Sequence, residues 1–137
     1  MVYPRRNALV VGKCILVAFL FLQGGLLFAF DNSLIGTYSS LKFNKEGGDL
    51  LGYEILIIPT DLGFRAIVQI AEGAPGNVYV LDATVKGDEL RFRVPLNNGV
   101  EELFVGHLKD GFLIGVFSTP NSAKSVKLKK GRSYWDR

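Results

Sequence analysis

The chain has 137 residues, 48% of them hydrophobic, with 16 basic and 13 acidic side chains, one histidine and one cysteine. Arg5, Arg6 and Lys13 precede position 31 and no acidic residue does, so residues 31–137 carry 13 charges of each sign. That balance removes the argument for nucleic-acid binding that the net charge of +3 invites. The cysteine is Cys14, so residues 31–137 also exclude a disulfide scaffold and a thiolate metal site.

Residues 1–30 read as a signal peptide. A basic start, "MVYPRRNALVVGK", leads into the apolar run "CILVAFLFLQGGLLFAF". Ala29 places a small residue at the last position before a cut, so cleavage after Ala29 is one reading. The other is an uncleaved anchor, since residues 14–30 reach the short limit of a membrane span, roughly 17 positions. Arg5-Arg6 also fits a twin-arginine signal, but no cofactor motif follows, which favours ordinary secretion. Lys13 stands where a lipoprotein cysteine would need a small residue. The expected location is a bacterial periplasm or the extracellular space, or the inner membrane if the segment stays attached.

Residues 31–137 are long enough for one domain. Turn signals recur at short intervals: "NKEGGD", "TDLG", "EGAPGN", "KGDE", "NNGV", "KDG" and "TPNSA". Between them the pattern predicts strands over 35–43, 51–59, 64–71, 78–85, 90–96, 102–108, 112–118 and 124–129. Short strands so spaced give an all-β fold, an antiparallel meander of about eight strands forming a small barrel or sandwich.

Two hairpins can be registered. If Pro59 faces Phe64, then Tyr53, Ile55, Ile57, Ala66, Val68 and Ile70 share one apolar face. The other face holds Leu56, Ile58 and Ile67 among polar residues, too apolar for fully exposed sheet, so it meets another element or a partner. There Glu54 lies opposite Gln69, either as a polar spot in a cavity or as a solvated pair. If Gly87-Asp88 is a two-residue turn, Tyr79, Leu81, Ala83 and Val85 face Leu96, Val94, Phe92 and Leu90. The outer face then pairs Thr84 with Arg91 and Asp82 with Arg93, the latter a surface ion pair or a ligand clamp.

His107 lies on the strand before Asp110-Gly111, a strong hairpin signal. A two-residue turn sets it opposite Ile114, a three-residue turn opposite Leu113. A catalytic triad needs a hydroxyl and a carboxylate within reach of the ring, and no Gly-x-Ser-x-Gly elbow is present. Zinc sites draw mostly on His and Cys, and the acidic residues lack EF-hand spacing. His107 therefore reads as a strand residue. Asp88-Glu89 and Glu101-Glu102 fall at turns, where charge is ordinary. The expectation is a non-catalytic protein with no metal and no cofactor.

The C-terminus, "KSVKLKKGRSYWDR", clusters Lys124, Lys127, Lys129, Lys130 and Arg132. Val126 and Leu128 alternate with lysines, which fits an edge or closing strand with an apolar inner face. Such lysines discourage sheet-to-sheet aggregation, or attract anionic envelope lipid or an acidic partner. "SYW" reads as an aromatic plug over one end of the barrel.

"IGTYSSLKF", the hairpins that follow and the glycine-punctuated "FVGHLKDGFLIGVF" together resemble lipocalin-like small secreted bacterial β-barrel domains. Gly36-Thr37-Tyr38 stands where lipocalins carry Gly-x-Trp, with tyrosine for tryptophan. The resemblance implies a closed or nearly closed meander that binds something apolar. The function expected is binding of a small apolar ligand or lipid, with Tyr38, Tyr53, Tyr79 and Phe92 as its lining. The alternative is a structural or interaction protein of the bacterial envelope, acting on an envelope component through its sheet surface and basic C-terminal strand.

Overall fold

In the computed structural model, residues 32–136 are described, and the signal peptide expected over 1–30 lies outside them. Alternation of apolar and polar residues builds nine strands after a short 3-10 turn, Asn32–Leu34. They are β1 (Gly36–Ser39), β2 (Lys42–Asn44), β3 (Asp49–Thr60), β4 (Gly63–Gly73), β5 (Pro75–Lys86), β6 (Glu89–Pro95), β7 (Glu101–Lys109), β8 (Phe112–Thr119) and β9 (Ser122–Gly131). β3 to β9 form an antiparallel meander. β1 pairs with β9 on one side and β3 on the other, closing an eight-stranded barrel with β2 outside it.

The strand expected over 35–43 divides into β1 and β2. Ser40 donates its N–H to the Tyr53 carbonyl (2.8 Å), while its hydroxyl oxygen accepts from Tyr53 N–H (3.1 Å). Gly52 faces this step at φ 118°, and a Cβ there would lie 2.5 Å from the Ser40 carbonyl oxygen. The close approach demands glycine and turns the chain out of the barrel wall.

The β3–β4 register is the expected one, with Pro59 opposite Phe64. Its apolar face joins Phe92, Phe104, Phe117, Leu113, Val126 and Leu128 in one core. The rings stack across the interior. Tyr53 and Phe117 lie 4.9 Å apart, Phe104 and Phe117 4.7 Å, and Phe92 and Phe104 4.7 Å. Phe104 lies over Gly106 and Gly115, where any Cβ would come within 2.6 Å of its ring. Gly106 and Gly115 thus make room for a ring inside a narrow barrel.

The β5–β6 hairpin keeps its expected register only near the turn, from Lys86–Glu89 to Ala83–Phe92. Beyond that β5 stays with β4 and β6 with β7, and the two strands separate. Stagger between strands, which barrel closure requires, parts the hairpin arms, and Pro95 has no N–H to hold them. The expected Asp82–Arg93 pair does not form. Asp82 takes Arg65 at 3.0 Å, its partner across β4, and Arg93 lies 3.7 Å from Glu101 across β7.

Glu54 does face Gln69, but as neither a cavity spot nor a solvated pair. Glu54 is buried, accepting from the Ser133 hydroxyl (2.6 Å) and Tyr134 N–H (2.7 Å). Gln69 accepts from the Trp135 indole N–H (2.8 Å). "SYW" is therefore no plug over the barrel end. It is clipped to the outer wall of β3 and β4, where Tyr134 packs on buried Leu41, Leu50 and Ala71. The outward-facing carboxylate of Glu54 and amide of Gln69 bind this segment.

Candidate functional site: the barrel mouth

The inner rows of the strands end in a hollow of about 610 Å³ at one end of the barrel, open to solvent. Its apolar wall is Tyr53, Ile70, Tyr79 and Val94, with Glu72, Glu102 and Lys124 around them. Alternation fixes each orientation. Lys124 continues the inward row of Val126 and Leu128, and Glu102 that of Phe104. The opposite end is sealed by fully buried Leu34 and Tyr38.

Lys124 faces two carboxylates in the mouth, Glu72 and Glu102. Its ammonium stands 4.9 Å from the centre of the Tyr53 ring and 3.9 Å from Glu72 Oε1. A hydrogen bond with Tyr53, and then the charges of Glu72 and Glu102, hold its pKa above the usual lysine value, so it stays cationic. Burial pushes the Glu102 carboxyl up, against the pull of Lys124. The mouth therefore joins an aromatic and aliphatic wall to a charged rim carrying both signs. Such a surface can receive an apolar group while a polar end meets the rim.

The four expected lining residues do not converge. Tyr53 and Tyr79 lie in the mouth. Phe92 sits below it, stacked on Phe104. Tyr38 is at the sealed end, its hydroxyl donating to the Leu34 carbonyl (3.0 Å) and kept neutral by burial. From sequence Glu72 is not singled out, Glu102 reads as a turn charge and Lys124 as part of the basic C-terminal edge, and none of them as mouth lining. Inner-row parity was the available signal for Glu102 and Lys124, though lysine at the head of an inner row reads first as an edge residue.

A second hollow of about 610 Å³ lies outside the wall where β5 and β6 part. Arg65, Asp82, Arg93 and Glu101 line it, already joined as the ion pairs given above. His107 faces outward on β7 opposite Ile114 and Glu89. Its Nδ1 is 3.6 Å from Asp88 and its Nε2 3.6 Å from Glu89, with the ring half exposed. Glu89 is held below its usual range, first by its hydrogen bond from Arg91. Among the described residues, no group of three or more His, Cys, Asp or Glu side chains could hold a metal ion.

The fold and this mouth define the class, a closed antiparallel β-barrel with an open polar-rimmed hollow at one end. In comparisons with known proteins, no family model, no curated protein and no solved structure matches the chain.

Proposed function

We propose that this chain is an exported, non-catalytic, lipocalin-like β-barrel protein that binds a small apolar or amphiphilic ligand, such as a lipid, at its mouth. The observation that carries the reading is the hollow walled by Tyr53, Ile70, Tyr79 and Val94 beside a cationic Lys124. Beneath it the rings of Phe92, Phe104 and Phe117 fill the interior, so the ligand sits at the mouth and not deep inside. Its apolar part covers the tyrosine rings and its polar end meets Lys124. Titration with a fluorescent fatty acid tests this. Saturable binding should weaken about tenfold in Tyr79→Ala, which removes a half-buried wall residue. Absence of saturable binding to the folded protein sinks the reading. The export step is checked separately: N-terminal sequencing of periplasmic material should begin near Phe30 or Asp31.

A second reading, an envelope interaction protein, has one observation in its favour. Ile114 and Val116 are exposed on the outer face of β8, beside Lys127 on β9. Crosslinking from position 114 to envelope components tests that face.

A further inference from the structure

We propose that the seam between β1 and β9 carries a binding site for a phosphate group. A recess of about 260 Å³ opens there, lined by Ser39, Lys129, Lys130 and Arg132, with Leu41 and Tyr134 as its apolar wall. It lies six residues along β9 from Lys124, about 20 Å from the mouth, and stands on different residues.

Elsewhere on the barrel Arg65, Arg91, Arg93 and Lys124 each have a carboxylate partner, while among the described residues Lys42, Lys45, Lys86, Lys109 and Lys127 are in no ion pair. Among the described residues none of Lys129, Lys130 and Arg132 forms an ion pair, although Asp110 precedes the turn whose Gly111 carbonyl accepts from Lys130 N–H. The like charges of Lys129 and Arg132 beside one concavity repel one another until an anion sits between them.

Part of the donor set is already oriented. Lys130 lines the recess along its chain, while its ammonium donates to the Ser33 carbonyl and stands 5.6 Å from the Tyr38 ring centre at the sealed end of the barrel. Ser39 Oγ accepts from Leu41 N–H (3.2 Å), so its own proton is available to another acceptor. Arg132 adds a planar fork suited to two oxygens of one anion. A hydroxyl, an ammonium group and a guanidinium offer a tetrahedral oxyanion donors from three sides. The recess exceeds a single phosphate, and its apolar wall leaves room for the first carbons of an ester. Free phosphate esters and lipid headgroups share this chemistry.

Amide NMR of the full exported chain at fixed ionic strength tests the site, with inorganic phosphate and glycerol phosphate as probes. Saturable shifts should centre on Ser39, Gly131 and Arg132. Lys129→Gln and Arg132→Gln should each weaken binding about tenfold, while Lys86→Gln and fatty-acid binding at the mouth stay unchanged. Sedimentation with phosphatidylglycerol vesicles, against phosphatidylcholine vesicles, separates the sources. Capture by the former alone, lost in Arg132→Gln, assigns a lipid headgroup; glycerol phosphate binding without capture assigns a free ester. No saturable shift with either probe and no vesicle capture overturns the site. Equal weakening by Lys86→Gln also overturns it, because the effect would then be diffuse charge.

Discussion

Phe104 shows how a single ring governs a small barrel. It is fully buried and held over two backbone positions that have no side chain. Gly115→Ala would drive a methyl to 2.6 Å from the ring and 2.7 Å from the Val105 carbonyl oxygen. We expect a loss of about 1–3 kcal/mol in urea unfolding, partly recovered by adding Phe104→Leu. Tyr38→Phe tests the sealed end. It leaves the Leu34 carbonyl without its buried donor, and about 1–2 kcal/mol should be lost with no change of fold. Glu102 supplies a pH test. Burial raises its pKa, so the folded protein holds the proton more tightly than the unfolded chain. Its stabilising contribution is complete below the ordinary glutamate range and is lost as pH rises through the folded value. Glu102→Gln should therefore match the parent at about pH 3. Near neutrality it should gain by less than about 1 kcal/mol, because solvent screens the group.

At the scale of the element, the C-terminal clip ties the last described residues to β3 and β4. Ser133 and Tyr134 reach back to Glu54, and Trp135 to Gln69. Glu54→Ala removes the acceptor of both bonds and uncovers Leu41, Leu50 and Ala71 beneath Tyr134. The expected cost is about 1–3 kcal/mol. The chain has one tryptophan, so its emission reports on the clip directly. A red shift in Glu54→Ala, and a smaller one in Glu54→Gln, is the expected result; an unchanged spectrum would mean that the carboxylate does not hold the segment. The hairpins show what local sequence specifies. Asp110 and Gly111 both have positive φ, 52° and 77°, the two-residue turn that Asp-Gly favours, and His107 falls opposite Ile114 as that turn requires.

For the whole molecule, closure depends on pairings that no short window contains. β1 is four residues long, yet it joins β9, ninety or more positions away, to β3. The mouth follows from closure, since Tyr53, Tyr79, Glu102 and Lys124 come from four strands and meet only when the wall is circular. The sequence by itself determined the all-β class, the meander order, most turns and the inward face of each registered hairpin, because side-chain alternation and turn chemistry are local. Only the tertiary structure decided between barrel and sandwich, divided the first strand, gave Asp82 to Arg65 and laid the C-terminal aromatics on the outer wall. Those outcomes depend on stagger, twist and contacts between distant strands, which period-two patterning leaves open.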